Sequence, residues 1–93
     1  MPKSDRDAAT QRSPPWQSHE HDVLGRALRE FRVRIGLSQE MFGQVSGLHR
    51  NYVGAIERGE INPTFKVLLK LATGLDRPLS ELILLWERRL EEP

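Results

Sequence analysis

The sequence contains no cysteine, which removes disulfide staples and thiolate metal sites, zinc fingers among them. Long hydrophobic runs are missing as well. The longest is the five residues from Leu82 to Trp86, far short of what a membrane span needs. The stretch from Met1 to Trp16 lacks the apolar segment of a signal peptide and mixes Lys3, Asp5, Arg6, Asp7 and Arg12 with serine and proline, so a cytoplasmic location is expected. A large charge of one sign is also absent, the net charge being only +1. What is present, 93 residues with 38% hydrophobic and 29% charged side chains, is one small globular domain with room for one core.

The average hides where the charge lies. Residues 1–22 carry three basic against four acidic groups, and residues 59–93 carry five against six. Between them, Arg26, Arg29, Arg32, Arg34, Arg50 and Arg58 stand against only Glu30, Glu40 and Glu57. A basic bias in this middle stretch is compatible with a phosphate-binding face without proving one.

Residues 1–20 hold Pro2, Pro14 and Pro15 among serine, glutamine and aspartate, with no periodicity to repay the entropy of ordering, and are expected to form a disordered tail ahead of a domain over 21–93. From Val23 onward Leu24, Ala27, Leu28, Phe31 and Ile35 fall on one helical stripe, which Gly36 is placed to end. Ser38 can cap a short second helix running to about Val45, with Glu40 in its first turn. Ser46 and Gly47 interrupt it before a third run, His49 to Arg58, that stops at Gly59. In that run Tyr52, Val53 and Ile56 point inward and His49, Arg50, Asn51, Gly54 and Ala55 outward. Thr64 can cap a fourth helix whose buried face is Phe65, Leu68, Leu69 and Ala72, with Gly74 as its stop. Pro78 opens a fifth, striped by Leu79, Leu82, Ile83, Trp86 and Leu90. No strand signal occurs, so the fold class is all-α, a compact five-helix domain.

The residues Gly36-Leu37-Ser38-Gln39-Glu40, Gly47-Leu48-His49, Tyr52-Val53, Ile56-Glu57-Arg58-Gly59, Asn62-Pro63 and Leu68-Leu69-Lys70-Leu71-Ala72 resemble, in order and spacing, the phage-repressor and Cro-like helix-turn-helix family, also called XRE. The resemblance covers about residues 23–86 and implies a lambda-repressor-like DNA-binding fold. Within the family the chain is similar to small regulators such as the controller proteins of restriction-modification systems. A helix is about as wide as the major groove, and the outward side of the third helix would read base edges there. Arg50 suits bidentate bonding to guanine and Asn51 to adenine, small Gly54 and Ala55 let the helix lie deep, and His49 can meet a base or a phosphate. The resemblance further implies backbone phosphate contacts by Gln39, Arg58, Asn62, Thr64 and Lys66. It also implies an ion pair between Arg32 and Glu57 that fixes the third helix, whose loss would leave one charge unpaired. Where the family usually has alanine this chain has Gly43, expected to soften the second helix.

Arg26, Arg29 and Arg34 read as a solvated helix face. His19-Glu20-His21-Asp22 has ligand chemistry, but His19 and His21 two residues apart fall on different helix faces, and no metal site is expected. No catalytic arrangement and no cofactor motif is legible. The last helix carries more apolar side chains than one core face of so small a domain uses. A homodimer interface is therefore expected at Leu82, Leu84, Leu85, Trp86 and Arg89, with Trp86 as anchor. A two-fold dimer sets two reading helices about 34 Å apart on a palindromic operator. Repression would follow from occluding polymerase, activation from presenting a patch beside it. The rival class is a protein-interaction module, such as the antitoxin of a toxin-antitoxin pair, engaging a partner through the N-terminal tail.

Overall fold

The computed structural model describes residues 18–93, so the expected disorder of the tail and any docking by Trp16 lie outside the described residues. Five helices follow one another: α1 His19–Arg34, α2 Gln39–Ser46, α3 Arg50–Glu57, α4 Phe65–Leu75 and α5 Leu79–Leu90. No strand occurs among the described residues, and no helix among them is long and apolar enough to cross a membrane. The first helix begins four residues before the expected Val23, taking His19 and Glu20 out of the tail. Glu20 and Asp22 sit in its first turn, where negative charge complements the helix dipole.

Side-chain caps start three of the helices. Ser38 Oγ accepts from the Met41 amide at 3.0 Å, His49 Nδ1 from the Asn51 amide at 3.0 Å, and Thr64 Oγ1 from the Val67 amide at 3.2 Å. Each answers a donor that the helix leaves unpaired at its amino end. The carboxyl ends of α1, α3 and α4 close by one pattern of paired backbone bonds. At α3 the Gly59 amide donates to the Ile56 carbonyl and the Glu60 amide to the Ala55 carbonyl, both at 2.9 Å. That closure needs a left-handed residue, supplied by Gly36 after α1 and Gly59 after α3. After α4 the left-handed residue is Asp76, at φ 55°. Gly74, expected to stop α4, instead lies inside it. A Cβ there would stand 2.8 Å from the Phe42 ring and from Ser46 Cβ, so the glycine lets α4 close on α2.

Leu28, Phe42, Val53, Ile56, Leu71 and Leu82 form the centre of the core, with Ala27, Phe31, Leu75 and Leu85 around them. Helix α1 packs on α3 and α5, α2 on α3 and α4, and α4 on α5. Two expectations are corrected here. Leu82 and Leu85 are enclosed in this protomer's own core, because α1 and α4 together cover that side of α5, and so are withdrawn from a surface between copies. Phe65 and Leu69, expected in the buried face of α4, are exposed at 67% and 45%. Phe65 is the first residue of its helix and overhangs the core rather than entering it. Gly43 is no simple weak point either, since a Cβ there would drive into the Leu48 carbonyl oxygen. Its missing side chain lets the turn backbone fold onto α2.

At the far side α5 is tied to α1 by polar contacts. Arg89 donates to Glu30 from Nε at 3.1 Å and from Nη2 at 2.7 Å, and Trp86 Nε1 donates to the Glu20 carbonyl at 3.0 Å. The hydrogen bonds from Arg89 hold the Glu30 carboxyl below its ordinary range against a smaller opposing effect of burial.

Candidate nucleic-acid interface

Helices α2 and α3 are each eight residues long, about 12 Å, and cross through the turn that Gly47 makes in left-handed conformation. Val53 and Ile56 bury the inner side of α3. Its amino end is presented outward, with His49, Arg50 and Asn51 exposed. The capping bond engages His49 Nδ1 as an acceptor. In the neutral ring that leaves Nε2 as the donor for any contact beyond the protein.

The seat of α3 is a buried polar cluster. Arg32 on α1 donates from Nε to Glu57 Oε2 at 2.6 Å and from Nη2 to Oε1 at 3.0 Å, and its Nη1 donates to the Leu37 carbonyl at 2.8 Å. Gln39, the first residue of α2, donates from Nε2 to Glu57 Oε1 at 3.0 Å. One carboxylate thus holds the ends of three helices in a fixed relation. The pair is almost closed to solvent, with side chains 10% and 3% exposed, and a two-pronged arginine grip gives it direction as well as energy. Behind it the α1 backbone meets α3 directly, since a Cβ at Gly25 would collide with the Ile56 and Glu57 carbonyl oxygens.

The other expected contact residues fall in three places. Gly54 is not on an open face, a correction to the sequence reading. A Cβ there would lie 3.1 Å from Arg58 Nη1 and 3.3 Å from Gln39 Oε1, so both side chains roof it, and Ala55 is half-buried beside it. Arg58, Thr64 and Lys66 are exposed, Thr64 spending its hydroxyl on the α4 cap. Asn62 lines an apolar groove of about 280 Å³ together with Leu24, Pro63, Leu68, Ile83 and Trp86.

Two pairings of the arginines were not expected from the sequence. Glu60 accepts from Arg58 Nε at 2.9 Å and Nη2 at 3.1 Å, and Glu40 lies 3.5 Å from Arg50. The spacing of Arg58 and Glu60, two residues apart around Gly59, carries no helical signal. Of the expected interface residues on α5, Leu84 is half-exposed outside the groove, Trp86 lines it, and Arg89 is turned to Glu30 and Glu92.

Comparison with known proteins places this geometry. Residues 28–82 match the family described as helix-turn-helix. The chain is 39% identical over 62 residues to control protein C.SmaI of Serratia marcescens, covering 67% of this chain and 74% of that protein. Among solved structures it resembles the restriction-modification controller protein C.AhdI from Aeromonas hydrophila, at 46% identity and a TM-score of 0.69 over 70% of this chain and 98% of that one. The clp gene regulator ClgR of Corynebacterium glutamicum, 20% identical, shares the fold with a TM-score of 0.74 over 82% of this chain and 99% of that one. With a helix-turn-helix whose outer helix presents polar side chains, and with these relatives, the chain belongs to the XRE-type helix-turn-helix family of DNA-binding transcriptional regulators.

Proposed function

We propose that the protein acts in the cytoplasm as a homodimer on a palindromic duplex site, each protomer setting α3 into the major groove. The observation that carries this reading is the contrast within α3: His49, Arg50 and Asn51 are exposed at its amino end, while Arg32 and Gln39 anchor its carboxyl end through Glu57. Arg50 reads a guanine by two parallel bonds and Asn51 an adenine, each pair discriminating by about 1 to 3 kcal/mol. His49 adds a donor from Nε2, and Ala55 a small edge. Gln39, Arg58, Thr64 and Lys66 take backbone phosphates, with Asn62 at the margin, and so fix register without reading sequence. The similarity to controller proteins supports a regulatory role, and the mechanism needs no cofactor. The copies meet on the side where α4 and α5 adjoin, where Phe65 and Leu69 are exposed and Ile83 and Trp86 line the apolar groove.

Selection of bound sequences from a random duplex library, followed by titration of the selected site with wild type and Arg50→Ala, tests the reading. A palindromic winner, with specificity relaxed at one base pair per half-site in the variant, is the expected result. Uniform binding that the variant leaves unchanged would reduce the helix-turn-helix to a scaffold and favour a protein-interaction role.

A further inference from the structure

The groups that would meet a phosphate at the carboxyl end of α3 are already occupied within the protein. Arg58 is exposed, yet its guanidinium lies back over Gly54 instead of extending, and two of its nitrogens donate to one carboxylate, that of Glu60. The carboxylate is not a loose surface neighbour. The paired backbone bonds that close α3 fix Glu60 immediately after left-handed Gly59, so the chain's own turn places it against Arg58. The geometry is the two-pronged one by which an arginine holds a phosphate. The interaction also lowers the Glu60 carboxyl's affinity for a proton and raises that of Arg58. The contact of Glu40 with Arg50 is longer, 3.5 Å, and lacks this two-point form.

We propose that Glu60 is a positioning residue that tempers DNA affinity: its carboxylate occupies Arg58 in place of a phosphate and competes with the DNA backbone for that arginine. The inference rests on the DNA-binding reading above. Its physical content is a competition for one guanidinium. Attachment to duplex is driven by cations that replace counterions along the backbone, so each neutralised arginine subtracts from it. Glu60 therefore depresses the affinity for duplex by way of Arg58, and the exposure of its side chain, 51%, leaves it free to swing aside.

The test is the affinity of full-length wild type, Glu60→Gln, Arg58→Ala and the double variant for an arbitrary-sequence duplex and for the selected site, across salt concentration. Circular dichroism confirms that each variant is folded. For arbitrary duplex, Glu60→Gln is expected to steepen the log–log salt slope by about 0.9, which is about 3.5-fold more gain in affinity than wild type between about 200 and about 50 mM salt. In the Arg58→Ala background the same substitution is expected to change the slope little. An unchanged slope in Glu60→Gln overturns the inference while wild-type binding upholds the DNA reading. An equal gain with and without Arg58 also overturns it, because the carboxylate would then act as a general repulsive charge. Absence of any salt-dependent duplex binding by wild type overturns the reading and the inference together.

Discussion

A carboxylate removed from water needs donors at both of its oxygens, and Glu57 obtains them from two helices: Arg32 on α1 grips both oxygens and Gln39 on α2 adds a third bond. Such a buried pair is weak evidence of net stabilisation, since two charges had to be desolvated to make it. Removing one partner is a different matter. Glu57→Ala leaves the Arg32 guanidinium enclosed without its counter-charge and is expected to lower stability by about 3 to 5 kcal/mol in urea denaturation. Replacing both residues by hydrophobic ones of similar volume should cost much less than the sum of the single losses. A loss for Glu57→Ala of the size seen for an exposed pair would mean that the cluster is open to water. The cluster also explains why Gln39, expected to meet DNA, is already oriented in the free protein.

At the scale of the helix, the ends of α1, α3 and α4 repeat one closure with different residues. Glycine takes the left-handed position after α1 and α3, whereas Asp76 takes it after α4 and adds a negative charge to the negative end of that helix dipole. Asp76→Gly is expected to stabilise the protein by about 1 kcal/mol, seen as a higher urea midpoint at unchanged slope. A lower midpoint would show that the Asp76 side chain contributes more than its backbone costs. The three helices of the motif were readable from sequence because α1, α2 and α3 each separate apolar from polar residues and carry capping or turn residues at their ends. Helix α5 was not. Leu79, Leu82, Ile83, Leu84, Leu85 and Trp86 leave hardly a polar side to mark its register, and only packing against α1 and α4 sends Leu82 and Leu85 inward and Leu84 outward. Gly74 misled for a related reason. A glycine near a helix end means either a stop or a close approach, and the approaching partners, Phe42 and Ser46, lie on another helix. Arg32 and Glu57, twenty-five residues apart, share no local pattern, so their pairing was legible only through resemblance. The Arg58 and Glu60 pair depends on a left-handed turn that hydrophobic periodicity does not register.

For the whole molecule, the corrected burial moves the expected contact between copies. With Leu82 and Leu85 inside the protomer, the proposed contact falls to Phe65 and Leu69, exposed on α4, and to Ile83 and Trp86, which line the groove beside α5. On the proposed reading, wild type is expected to sediment as a dimer and the double variant Phe65→Glu, Ile83→Glu as a monomer at the same concentration. The double variant should also lose most of its affinity for a full palindrome while keeping its weak affinity for a half-site. Leu84→Glu, exposed but outside that groove, is expected to sediment as wild type does. If the double variant remained dimeric and Leu84→Glu did not, the copies would meet on the other flank of α5.

The crossing of α1 over α3 is set by main chain against main chain, Gly25 lying on the Ile56 and Glu57 carbonyls, while Arg50 and Asn51 are exposed and sit outside the core. If α3 reads the groove as proposed, its frame and its lettering are separable. Positions 50 and 51 could then be rewritten to address a different site without refolding the scaffold, whereas position 54, roofed by Arg58 and Gln39, admits no larger letter until those two side chains are moved.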